Sequence, residues 1–268
     1  MSETSEKYKT SYYLSKKDDR STIVFIHGVG LTKEIWDQQI EFFKNHNTLT
    51  YDLLGHGKTS LEKTQLNFED YTKQLLNLID ELDLKKIHLV GFSLGSLIAR
   101  HFASVHGDRL SSLILHGSIY KRTKEQKRIV ENRHEIQKLH GPASRKSSLR
   151  RWFTPEFAKK NQEIYQKIYS MLENNDFKNF LKAYKLFVSY EDDDEMISKI
   201  KTNTLVTTGQ FDVGSTPDMA KNLSNQIEGS KYIEIKNGKH LCNIECDKDF
   251  NKTIELFINQ SYDKALRI

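Results

Sequence analysis

Short, solid apolar runs alternate along the chain with stretches in which apolar residues return every three to four positions. Residues 21–26 (STIVFI), 49–52 (LTYD), 86–91 (KIHLVG), 110–116 (LSSLILH), 203–208 (NTLVTT) and 231–235 (KYIEI) read as strands. The solid runs among them suit strands covered on both faces. Helical spacing appears at 67–83, 92–105, 217–227 and 247–260. It is clearest in the first, where Phe68, Tyr71, Leu75, Leu76, Ile79 and Leu82 share a face and Asn67 with Asp70 makes a capping pair. Strands alternating with helices predict a mostly parallel, doubly wound α/β sheet. From about 118 to 199 the alternation gives way to Lys-rich helix, broken at Gly141-Pro142. The expected organisation is therefore a core of residues 1–119 and 200–268, with residues 120–199 as a helical insertion between two strands. No repeat of the ~20–50-residue kind is visible.

The strongest chemical signal lies where the 86–91 strand meets the following helix. Gly91-Phe92-Ser93-Leu94-Gly95 fits G-x-S-x-G in the strand-turn-helix context that pattern requires. So tight a turn leaves no room for side chains at the glycines. It lifts the Ser93 hydroxyl to the C-terminal edge of the sheet, in front of a helix N-terminus that favours developing negative charge. A serine hydroxyl is a weak nucleophile and needs a base that is itself oriented by an acid. Asp212 and His240 each follow a predicted strand, and the chain order Ser93, Asp212, His240 is the one this elbow uses. All three sit at C-terminal strand ends, where open parallel sheets build their sites.

Rival residues have simpler readings. His27, His56, His88, His101, His106 and His116 fall in strands, turns or helices where a hydrogen-bonded structural role suffices, and Asp52 is placed to close a glycine turn. The strand at 110–116 is followed by Gly117-Ser118-Ile119, which offers no acid to replace Asp212. An oxyanion formed at Ser93 needs backbone donors. The N–H of Leu94 and that of Val29, in the His27-Gly28-Val29-Gly30 loop, are the candidates. Gly28-Val29-Gly30 also begins a dinucleotide fingerprint, but Lys33 occupies the third glycine position. Cys242 and Cys246 lack partner ligands at zinc spacing. No cofactor and no metal are expected.

Composition narrows the setting. No apolar stretch approaches the ~18 residues of a membrane span, and the N-terminus shows no apolar signal region. With only two cysteines, four apart, a disulfide framework is excluded and a cytoplasmic setting is the expectation. A net charge of +5 raises the question of a polyanionic partner. However, residues 121–160 hold 13 Lys/Arg against 4 Asp/Glu, a local +9 that leaves −4 for the rest of the chain. The basicity belongs to the insertion, and an acidic run, Glu191 to Glu195, follows it. Most of these charges read as solvated surface. Arg133, Arg145, Arg150 and Arg151 are the candidates for steering an anionic substrate, and Trp152 for contacting it, although Trp152 and Phe153 also suit a cap core.

Five stretches together resemble a known family: FIHGVG (25–30), YDLLGHGKTS (51–60), HLVGFSLGS (88–96), TTGQFD (207–212) and NGKHLCNIE (237–245). Over nearly its full length the chain resembles a single-domain α/β-hydrolase. The resemblance implies Ser93 as nucleophile, Asp212 as acid, His240 as base, Val29 and Leu94 as oxyanion donors, and the insertion as a cap over the site. Ser96 departs from the pattern, where relatives often carry glycine, and is expected to alter helix packing rather than chemistry. The segments 150–157 (RRWFTPEF) and 240–245 (HLCNIE) are most similar to 3-oxoadipate enol-lactonases. The expected activity is hydrolysis of a small carboxylic ester or lactone through an acyl-enzyme, with an anionic enol-lactone as candidate. The alternatives are a general carboxylesterase, a biotin-pathway-like methyl esterase or a cofactor-free haloperoxidase-like hydrolase. A non-catalytic binder of acidic partners is the remote alternative. The expected partner is a small-molecule substrate, with no nucleic acid and no membrane, for a monomer or homodimer.

Overall fold

In the computed structural model, which describes residues 2–7, 9–141 and 146–265, the apolar runs form the strands of one eight-stranded sheet. In chain order these are β1 (Glu3–Thr4), β2 (Ser11–Ser15), β3 (Thr22–Ile26), β4 (Thr48–Tyr51), β5 (Ile87–Phe92), β6 (Leu110–His116), β7 (Thr204–Gly209) and β8 (Lys231–Ile235). The spatial order is β1-β2-β4-β3-β5-β6-β7-β8, parallel from β4 to β8 and antiparallel across β1-β2 and β2-β4. β1 and β2 are additions to the six strands read from sequence.

The period of two explains the solid runs. In β3, Val24 and Ile26 join one apolar cluster while Ile23 and Phe25 join the other, so both faces of the strand are core. Helices α2 (Phe68–Glu81), α3 (Leu94–Val105) and α10 (Pro217–Gln226) cover the first face through Leu75, Leu97 and Leu223. On the second face Trp36, just before α1 (Asp37–Phe42), packs with Phe250 and Ile254 of α12 (Asp247–Ala265). The α2 start is the predicted one: Asp70 N–H donates to Asn67 Oδ1 at 2.9 Å and Asn67 N–H to Asp70 Oδ2 at 3.1 Å.

Between β6 and β7 lie α4 (Lys124–His140), α5 (Lys146–Trp152), α6 (Pro155–Lys160), α7 (Gln162–Glu173), α8 (Phe177–Val188) and α9 (Asp194–Ser198); α11 (Cys242–Glu245) follows β8. Gly141 ends α4 with φ +64°, while Pro142 and Arg145 lie outside the described residues. The acidic run absorbs part of the basic excess, pairing Glu191 with Lys127 and Asp194 with Lys121. The Arg100–Asp192 pair, at 2.7 Å, is nearly sealed from solvent and ties α3 to the end of the insertion.

Four buried histidines make the fold acid-sensitive. Burial pushes His27 and His88 down to about 4, and His56 and His116 down to about 3. In the unfolded chain the same rings take up protons from about pH 6.5. Between those limits the unfolded state binds more protons, so stability falls as pH drops. Tm is expected to decline steadily from about pH 7 to about pH 4.5. A level or rising Tm over that range would contradict this burial.

Candidate active site

The turn from β5 to α3 is built on two glycines. A Cβ on Gly91 would stand 2.3 Å from the Gly95 carbonyl oxygen, and one on Gly95 would stand 2.5 Å from that of Ile26 and 2.6 Å from that of His27. No side chain fits at either place, because backbone cannot yield as a side-chain tip can. Ser93 lies between them at φ +54°, ψ −115°, a left-handed conformation that only a tightly determined turn sustains. Its N–H donates to His116 O at 2.9 Å, joining the turn to β6. Ser96 is fully buried and its hydroxyl donates to Ser93 O at 2.6 Å. The departure at that position therefore adds a bond within the first helical turn.

Asp212 and His240 meet at the ends of β7 and β8. His240 Nδ1 lies 2.6 Å from Asp212 Oδ2, while Asp212 Oδ1 accepts from the N–H groups of Gly214 (2.8 Å) and Ser215 (3.0 Å). Burial alone would raise the Asp212 carboxyl. The electrostatic attraction of the His240 ring, its hydrogen bond and the two backbone donors outweigh burial and hold the carboxyl below the usual range. With an ionised carboxylate as acceptor, Nδ1 carries the ring proton and Nε2 is left as acceptor. Phe92 packs against the His240 ring at 4.8 Å between centroids and Trp152 at 6.1 Å.

Ser93, His240, Asp212 and Val29 all line one cavity of about 150 Å³. The loop after β3 runs alongside the serine: a Cβ on Gly28 would lie 3.2 Å from Ser93 Cβ. Leu94 is the first residue of α3, so its N–H has no acceptor one turn back. The wall contributed by the insertion is cationic. Arg122, Arg133 and Arg151 line it, and Asp212 is the only carboxylate among the described lining residues. Burial lowers Arg122 to about 10, and burial with the nearby Arg133 lowers Arg151. Gln137 Oε1, also on this wall, is buried without a hydrogen-bond partner among the described residues.

The sequence candidates thus divide. Arg133, Arg151 and Trp152 reach the cavity. Arg150 is exposed and its carbonyl accepts from Lys239 Nζ at 3.0 Å, while Arg145 lies outside the described residues. Phe153 is core, packed on Phe157 and Tyr165. Arg122 was not legible, being one cation among many in a basic segment. Both ring nitrogens of His27 are occupied, Nε2 by Leu53 N–H at 3.0 Å and Nδ1 by Gly28 O at 2.8 Å. Asp52 accepts from Lys33 N–H, Lys58 N–H and Lys33 Nζ, which closes its turn as expected.

Comparison with known proteins agrees with this architecture. The chain is 28% identical over 255 residues to the (E)-2-((N-methylformamido)methylene)succinate hydrolase of Acinetobacter baylyi, covering 93% of this chain and 94% of the relative. It is 26% identical to 3-oxoadipate enol-lactonase 1 of the same organism, covering 92% of each. The crystal structure of the enol-lactonase from Burkholderia xenovorans LB400 superposes with a TM-score of 0.86 at 24% identity, over 93% of this chain and 96% of that one. A family model for the alpha/beta hydrolase fold matches residues 21–246, and the chain belongs to that family.

Proposed function

We propose that the protein is a serine hydrolase that cleaves a small, anionic carboxylic ester or lactone through an acyl-enzyme. The observation that carries this reading is the shared cavity, lined both by Ser93 with the Asp212–His240 pair and by three arginines of the insertion. His240 Nε2 takes the proton of Ser93 as Oγ attacks the acyl carbonyl. The oxyanion is held by the N–H groups of Val29 and Leu94, each worth about 3–4 kcal/mol where such donors have been removed. Asp212 stabilises the imidazolium, which then protonates the leaving oxygen. Water, activated by the same ring, releases the acid. Residues 120–199 act as the cap that closes the cavity.

The cationic wall supports an anionic substrate. Arg133 repels both Arg122 and Arg151, and a substrate carboxylate relieves that repulsion while forming charge-assisted bonds of about 1.5–3 kcal/mol. The succinate and oxoadipate in the two relatives' names denote dicarboxylate skeletons, which agrees with this choice. The test compares a p-nitrophenyl ester bearing a free carboxylate with its neutral analogue. Arg133→Gln is expected to raise KM for the anionic ester about tenfold or more, and KM for the neutral ester less than about twofold. Equal shifts would remove the anion site and leave a general carboxylesterase.

A further inference from the structure

The two segments singled out in the sequence, 150–157 and 240–245, are joined in the structure around His240. Leu241 N–H donates to Trp152 O at 3.1 Å, directly after the histidine. Directly before it, Lys239 N–H donates to Glu245 Oε2 at 3.0 Å, and Lys239 Nζ reaches Arg150 O at 3.0 Å. The other oxygen of Glu245 accepts from Thr154 N–H at 2.9 Å and from the Thr154 hydroxyl. Thr154 in turn caps α6, accepting from Phe157 N–H. One half-buried carboxylate therefore bridges the loop that presents His240 and the α5–α6 junction.

The core side of this loop cannot give way. A Cβ on Gly209, at the end of β7, would stand 2.2 Å from Lys239 O and 2.5 Å from Gly238 O. Phe211 N–H also donates to Gly238 O at 2.9 Å. The other side rests on α5, whose Arg151 and Trp152 line the cavity. Any shift of α5 thus reaches the peptide units flanking His240 through Leu241 N–H and through Glu245.

We infer that Glu245 is a positioning residue, coupling the α5–α6 junction to the His240 loop so that an anion seated against Arg151 aligns the base for Ser93. This rests on the hydrolase reading above. A group that only stabilised the fold would affect every substrate alike. A group that transmits the seating of the anion affects kcat for anionic substrates selectively, because the benefit appears at the base and not in binding. Glutamine at 245 keeps the size of the side chain but can accept with only one end. It satisfies either Thr154 or Lys239 N–H and sets an N–H donor against the other.

The experiment measures kcat and KM of the wild type, Glu245→Gln and Glu245→Ala on the carboxylate-bearing p-nitrophenyl ester and its neutral analogue. Both variants are expected to lower the ratio of anionic to neutral kcat by about tenfold or more, with KM for the anionic ester within about twofold. The isosteric Gln variant keeps the test valid should the Ala variant fail to fold. Equal loss of kcat on both esters, a rise in KM with kcat intact, or no change would each overturn the coupling. A wild type inert on both esters would instead fail the hydrolase reading itself, so the two failures are distinguishable.

Discussion

Ser93→Ala is expected to lower kcat for a p-nitrophenyl ester by about 10⁶-fold while leaving the protein folded. The large factor follows from roles that work only together: without Oγ there is nothing for His240 to deprotonate and no acyl-enzyme to form. The intact fold follows from the elbow. Its conformation is imposed by Gly91 and Gly95 against the backbone, and alanine removes only a hydroxyl at a position 6% exposed. The left-handed φ is carried equally by serine and alanine. Tm within a few degrees of wild type, measured beside the kinetics, separates lost chemistry from lost structure. Residual activity within about tenfold of wild type would remove Ser93 from the mechanism.

The second large effect is expected at Asp212→Asn, with kcat falling by about 10⁴-fold. The asparagine oxygen retains the N–H groups of Gly214 and Ser215, which places the amide nitrogen towards His240. That nitrogen can only donate, so Nδ1 must accept and the ring proton moves to Nε2, the atom required as base. The ring keeps its place in the wrong tautomer. Since the carboxyl of Asp212 is held below its usual range, the wild-type carboxylate stays ionised on the acid side through neutral pH. The loss in the variant should therefore persist from about pH 6 to about pH 9. A loss of less than about tenfold would mean that another group orients His240.

Local physics made much of the fold legible. The buried runs of β3, β5 and β6 are short, solid and β-branched or leucine-rich, and the Asn67–Asp70 pair announces the start of α2. The elbow is legible for the same reason: two glycines four apart around a serine describe a backbone that admits no side chain. β2, Ser11–Ser15, was not legible, because its SYYLS run carries serines at both ends and no solid apolar stretch. It is held by pairing with β4, Tyr12 opposite Tyr51, and by a bond from Ser11 N–H to Thr59 Oγ1. Both partners are remote in sequence.

The same limit applies to the site. The Ser93, Asp212, His240 order follows from where each residue stands relative to a strand, so a pattern of strands is enough to suggest it. The cationic wall depends instead on which of thirteen basic residues in 121–160 turn inward. Arg122 does so because its guanidinium lies 4.4 Å over the Phe187 ring and donates to the carbonyls of Phe187 and Val188, all on or beside α8. Arg150, adjacent to Arg151, turns outward. Helical spacing alone does not choose between neighbours when a helix such as α4 buries only Val130 and Gln137. The bridge through Glu245 joins residues 91 apart and likewise leaves no local trace.

The proposed chemistry requires Ser93 to be an activated nucleophile. Its most direct test is covalent titration of the wild type and Ser93→Ala with a fluorophosphonate, read by intact mass and peptide mapping. One phosphonyl group per chain, mapped to Ser93 and absent from the variant, is the predicted result. An unlabelled wild type, or a label that persists in Ser93→Ala, would contradict it.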